Sequence, residues 1–307
     1  MAHNLEINAS APGTLMLMGE HAVLYGSKAL VLAVDKRIRV RLQPLANAEV
    51  QIESALGRYQ SALRPLQADE RFSFVLAAIE HLKLRLPGGF SLTIDSDFSH
   101  QVGLGSSAAV TVAVLAALNY WLDQECDHQA LFEQSRAVML AVQGRGSGAD
   151  LAAAVEGGMV EYQISGERKK LHPIPEIGLY FCGYKLKTPE VLRRVAQAQQ
   201  QQPDLYDGLY RLMAQCVAQA SRVADAGDRA QLGRLMNIYQ GLMDALGVND
   251  AKLSQMIYSL RQSESVEGAK ISGSGLGDCV ISLGLPSSNE GLEAIEVQVS
   301  PRGVEVG

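Results

Sequence analysis

Two periods of hydrophobic and polar positions divide the chain. Alternation by twos marks residues 5–10 as a strand. The next apolar run, from Ala11-Pro12-Gly13-Thr14 to Tyr25-Gly26, reads as a strand between two turn signals that closes on the charged pair Glu20-His21. Over residues 29–42, Ile38, Val40 and Leu42 alternate with Arg37, Arg39 and Arg41, which puts the charges on one solvated face of a sheet. Asp69 is placed to cap a helix over 70–85, Pro87-Gly88-Gly89 ends it, and residues 90–94 return to strand spacing. Then Gly103-Leu104-Gly105-Ser106-Ser107-Ala108-Ala109 passes without a break into an apolar, helix-forming segment that ends near Trp121 and Asp123. That is a loop opening a buried helix.

Helical spacing returns at 128–142, and residues 159–164 read as a strand. Ser165-Gly166-Glu167-Arg168-Lys169-Lys170 is the most polar turn in the chain, so a domain boundary is expected there, giving a first domain of residues 1–166 and a second of 167–307. The second half opens with a short strand over 177–182. Thr188-Pro189 then offers an N-cap and a first-turn proline for a helix running to about 200. Three amphipathic helices follow at 204–226, 228–246 and 250–262, with Met213, Met236, Met243 and Met256 on their apolar faces. Strands at 269–272 and 279–285 flank a glycine loop, and residues 291–306 close the chain as helix or strand. Helices packed on one side of a mixed sheet make an α+β fold of two domains.

Three glycine-serine loops stand out, at 103–107, 144–150 and 273–278. Glycine lets backbone approach a ligand closely, and the first turn of a helix presents unpaired N–H groups, so such loops suit a phosphate. A plainer reading of each exists: a serine-capped core helix for the first, and for Asp150 a cap on the helix that follows it. Three in one chain point instead to a common cleft between domains that wraps an anion or a nucleotide. None has the Gly-Lys-Ser/Thr of a Walker loop or the strand-GxGxxG-helix of a dinucleotide fold.

Composition narrows the partners. A chain of 307 residues with 47% hydrophobic and 20% charged residues is globular and large enough for two domains. Its net charge of −6 argues against nucleic acid or an anionic membrane, so any phosphate must be held locally. Cys126, Cys182, Cys216 and Cys279 lie too far apart for a metal-ligand spacing and are expected as reduced thiols. With no apolar run of about 20 residues and no leader-like start, a cytoplasmic protein is expected.

Taken together, APGTLMLMGEHAVLYG, VGLGSSAA, GSGAD and KISGSGLGDC resemble, in order and spacing, the superfamily of galactokinase, homoserine kinase, mevalonate kinase and phosphomevalonate kinase. Within it, Gly19-Glu20-His21-Ala22-Val23 with Tyr25-Gly26 is similar to the mevalonate kinase branch. The stretch 142–150 and Gly277-Asp278-Cys279 are more similar to the phosphomevalonate kinase branch. The resemblance implies a ribosomal-protein-S5-like N-terminal domain and a ferredoxin-like C-terminal domain with the active-site cleft between them. It implies ATP and Mg2+ as cofactors, and mevalonate or phosphomevalonate as the small-molecule acceptor, phosphorylated for isoprenoid synthesis. Monomer and homodimer stay open. By motif position, Gly103, Leu104, Gly105, Ser106 and Ser107 would cradle the triphosphate, Ser107 would ligate magnesium, and Ser96 would contact the nucleotide. Asp150 would be the general base. Glu20, His21 and Thr188 would line the acceptor pocket, and Gly273, Ser274 and Gly275 would close over the phosphates.

Two positions depart from the pattern. The resemblance places a lysine where Thr14 stands, and a magnesium-binding glutamate where Met139 stands. A neutral threonine and a thioether supply neither charge nor a hard ligand. A cation from elsewhere is therefore expected, with Arg145 as the first candidate and Lys185 or Lys187 behind it. The same departures would also suit a degenerate member of the superfamily that binds nucleotide and regulates without turnover.

Overall fold

A computed structural model describes residues 5–99, 102–123, 125–288 and 291–307. The first sheet is built on two long antiparallel strands, β1 (Ile7–Met18) and β2 (Ala29–Pro44). The hairpin β3 (Glu49–Ser54) and β4 (Gly57–Ala62) follows, and β5 (Phe90–Ser96) inserts between β2 and β3. Across this sheet lie α1 (Ser73–Leu82), α2 (Ser106–Asp123), α3 (His128–Gln143) and α4 (Ala149–Glu156). The hairpin β6 (Met159–Tyr162) and β7 (Arg168–Leu171) attaches to the first half of β2.

The second sheet starts with β8 (Ile177–Lys185), which leads into α5 (Thr188–Gln201), α6 (Pro203–Asp225), α7 (Arg229–Ala245) and α8 (Ala251–Arg261). Strands β9 (Gly268–Ser272), β10 (Gly277–Leu283) and the two-residue β11 (Glu293–Ala294) complete it, in the order β11-β8-β10-β9. The chain then returns to the first sheet, where β12 (Glu305–Val306) pairs with β1.

Why residues 29–34 are apolar at every position becomes clear from the layers. Val31 and Ala33 face α1–α4, while Leu30, Leu32 and Val34 face the helices and sheet of the second half. A strand segment covered on both faces loses the two-residue alternation, which reappears past Ile38 where one face meets solvent.

The structure departs from the sequence pattern in three places. Strand β1 does not break at Pro12-Gly13; it runs through with a register shift, because Pro12 has no N–H to give the ladder and the Thr14 N–H turns to the Leu104 carbonyl (3.0 Å). The polar turn at 165–170 contains an edge strand, β7, whose pairing with β6 keeps it in the first sheet. The boundary at 166/167 therefore cuts a hairpin. The residues at 291–306 form neither a helix nor one strand but an extended tail with two short pairings and a bridge from Val34 to Val299. Strands β3 and β4 carried too few buried positions, Val50 and Ile52 opposite Tyr59 and Ser61, to declare themselves.

Candidate active site

The glycine loop at 103–107 lies where the register shift of β1 puts it. Gly13 has no side chain, and a Cβ there would press on the Leu104 carbonyl at 3.0 Å, so β1 and the loop run in direct contact. Leu104 is fully buried and pins the loop from beneath. Gly105 turns with φ +61°, and a Cβ on it would strike the Thr14 hydroxyl. Helix α2 then starts at Ser106, with Ser106 and Ser107 part-exposed at its mouth. The unpaired N–H groups of that first turn and the positive end of the helix face the loop.

Asp150 comes from the other side, in the first turn of α4, after the left-handed glycine Gly148. Its Oδ1 accepts the Thr14 hydroxyl at 2.9 Å. Burial raises its pKa above the ordinary carboxylate value, while the Thr14 hydrogen bond and the positive charge of Lys185 pull it back. Thr14, itself 1% exposed, thus stands between the carboxylate and Gly105. Met139, where a glutamate was expected from the motif, lies buried against Gly146 and brings no oxygen to the site.

The third loop closes the ring. Asp278, held at φ +70°, accepts the Gly103 N–H on Oδ1 (2.8 Å) and pairs through Oδ2 with Lys185 Nζ (2.8 Å). No side chain would fit on Gly103, because a Cβ would run into that carboxylate. Gly273 and Gly275 turn with positive φ, and the Ser274 carbonyl meets His21 Nε2 at 2.9 Å. All three glycine loops therefore meet around Thr14 and Asp278.

The remaining expected residues sit as follows. His21 is buried, and burial lowers its pKa, so a neutral ring donating from Nε2 to the Ser274 carbonyl fits its surroundings. Glu20 is also buried and pairs with Lys270 Nζ at 2.5 Å, leaving its Oε2 without a partner. Thr188 begins α5 but is not its cap; Lys187 holds that position. Arg145 is exposed and donates to the Pro189 carbonyl (3.3 Å). The cation whose field acts on Asp150 is Lys185.

Beside the mouth of α2 opens a mainly apolar cavity of about 510 Å³. Ser54, Leu56, Phe74, Ser96, Ser106 and Ser107 are among the residues that line it, with Phe72 and Val75 deeper and Arg71 at the rim. Ser96, expected to contact the nucleotide, lines this cavity, together with the hairpin turn and α1, which carry no motif. Their signal is spatial, since β3 joins β5 in parallel and brings its turn to the end of the strand that bears Ser96.

No group of three or more His, Cys, Asp or Glu side chains able to cage a metal occurs among the described residues, and no helix there is long and apolar enough to cross a membrane. Family models of the GHMP kinases match the chain twice, the N terminal domain over residues 73–158 and the C terminal over 213–299. The mevalonate kinase of Archaeoglobus fulgidus is 34% identical over 279 residues, covering 90% of this chain and 91% of its own. That of Pyrococcus abyssi is 32% identical over 310 residues, covering 94% and 92%. Among solved structures, L. major mevalonate kinase in complex with R-mevalonate superposes with a TM-score of 0.76 at 26% identity, over 91% of this chain and 87% of that one.

Proposed function

Because the chain belongs to the GHMP kinase family, we propose that it is an ATP-dependent mevalonate kinase, transferring the γ-phosphoryl group to the primary hydroxyl of mevalonate. The observation that carries this reading is the meeting of the Asp150 carboxylate, through Thr14, with the glycine loop at the mouth of α2. A base and a phosphate cradle side by side are the minimum that phosphoryl transfer to an alcohol requires.

In this reading the adenine enters the 510 Å³ cavity and the phosphates reach the helix mouth from it. Backbone N–H groups of residues 103–107 hold the phosphate oxygens, and the loop at 273–275 closes from the second sheet. The acceptor hydroxyl oxygen forms its bond to the γ-phosphorus as the bond to the β,γ-bridging oxygen breaks. ADP leaves with that electron pair and the hydroxyl proton passes to Asp150. Thr14 fixes Oδ1, which leaves Oδ2 for the substrate. The raised pKa, with burial as its main cause, makes the carboxylate a stronger base toward the acceptor hydroxyl. In the same reading His21, Glu20 and Thr188 would line the acceptor side, as their motif positions imply.

The part-exposed Ser107 hydroxyl at the mouth of α2 is a hard oxygen donor of the kind a magnesium ion carried with the nucleotide would accept. The ion would neutralise phosphate charge, with the Ser107 hydroxyl as its protein ligand.

A coupled ADP-release assay with mevalonate, phosphomevalonate, galactose and homoserine tests the reading. Mevalonate is expected to give the highest kcat/KM, and Asp150→Asn to lower kcat by about 10²- to 10⁴-fold. Preference for phosphomevalonate would move the chain to the other branch of the family. Nucleotide binding with no turnover on any acceptor would make it a regulator.

A further inference from the structure

A phosphoryl group in flight spreads negative charge over its oxygens, and a site built from backbone N–H groups and hydroxyls alone lacks a full positive charge to meet it. Around this loop the nearby groups are neutral or already committed. Thr14, Ser106 and Ser107 carry no charge, and His21 is engaged with Ser274. Lys270, with no exposure, is closed off against Glu20. Arg145 is turned to the Pro189 carbonyl.

Lys185 is paired as well, but its partner is Asp278, the carboxylate that also holds the loop at Gly103. Lys185 is the last residue of β8, opposite Gly277 in β10, and its side chain keeps 34% of its exposure. Gly277 is a glycine at φ +119°, where a Cβ would press on the Lys185 Cα at 3.0 Å, so the two strand ends close tightly there. The adjacent Asp278 takes a left-handed backbone, which aspartate tolerates better than most residues, and this turns its carboxylate toward Gly103. One carboxylate thus grips the phosphate loop with one oxygen and Lys185 with the other.

We propose that Lys185 is the catalytic cation of this enzyme: paired with Asp278 in this structure, it moves its ammonium group onto the γ-phosphoryl oxygens when nucleotide fills the loop. The charge that β1 lacks at Thr14 is delivered instead from the second sheet. A flexible four-carbon stem and a compact ammonium suit such a short transfer, and phosphate oxygens, more highly charged than one carboxylate, compete well for it. The positive charge of Lys185 also acts on Asp150, so it lies within electrostatic range of the carboxylate that would take the acceptor proton. This inference rests on the kinase reading above.

Two measurements test it, one independent of any acceptor. Lys185→Met is expected to weaken Mg–AMP-PNP binding by about fivefold or more while Mg–ADP changes less than about twofold, because the lost contact is to the third phosphate. In turnover the same variant is expected to lose about 10²-fold in kcat. Adding Thr14→Lys, which puts a cation back on β1, is expected to recover part of it. If methionine compromises folding, Lys185→Gln, which keeps a hydrogen bond to Asp278, replaces it. Equal weakening of AMP-PNP and ADP would assign Lys185 to holding the loop, and the proposal would fall. Turnover within threefold of the parent, or a large kcat loss in Arg145→Met instead, would overturn it too. A parent inactive on all four acceptors would sink the kinase reading, while the two nucleotide affinities would still decide the fate of Lys185.

Discussion

At Asp150, the proposed base, a single hydroxyl from Thr14 opposes the effect of burial on the carboxylate. Desolvation pushes the carboxylate pKa up, and the Thr14 donor, which favours the ionised form, restrains it. Thr14→Val removes that restraint, so the acidic limb of the kcat/KM profile is expected to move to higher pH, as a pH–rate series would record. Stability follows with a definite sign. A group whose folded pKa is raised favours the folded state below its unfolded pKa, and this contribution is lost as pH rises through the folded value. Thr14→Val is therefore expected to cost about 1.5–3 kcal/mol at pH 7. In thermal melts the gap between variant and parent should narrow as pH falls into the ordinary carboxylate range.

Among the elements, loops and helices differ in how openly they announce themselves. The loop at 103–107 and helix α2 were legible because small residues run straight into an apolar helix, and the amphipathic helices α6–α8 because their faces repeat every three or four residues. The hairpin of β3 and β4 was not, since it buries few side chains and is placed by parallel pairing to β5, a contact distant in sequence. Asp278 was hidden for a similar reason. Its role depends on a left-handed backbone that brings it to Gly103, 175 positions away. The loop's dependence on glycine is testable. Gly105→Ala would force a side chain into a left-handed turn and against Thr14, and is expected to lower unfolding free energy by about 1–2 kcal/mol. Denaturant titration would measure that loss, and nucleotide affinity would fall with it.

On the scale of the whole molecule, the two sheets are joined through a buried charge pair. Glu20 follows β1, Lys270 lies within β9, and the Tyr239 hydroxyl of α7 donates to the Glu20 carbonyl at 2.7 Å. Removing one partner leaves an unpaired charge in the interior. Lys270→Met is expected to cost about 3–5 kcal/mol, whereas Glu20→Gln combined with Lys270→Met should recover much of it. A double-mutant cycle on chemical denaturation would separate the two.

The return of the chain to the first sheet has a temporal consequence. Strand β12 supplies the outer neighbour of β1, and Asn8 exchanges hydrogen bonds with Gly307 at 2.9 Å in both directions. During synthesis, residues 5–171 leave the ribosome with β1 still an open edge, and the piece that covers it is translated after the entire second sheet. The nascent first domain must wait, partly unsealed, for its last strand to arrive.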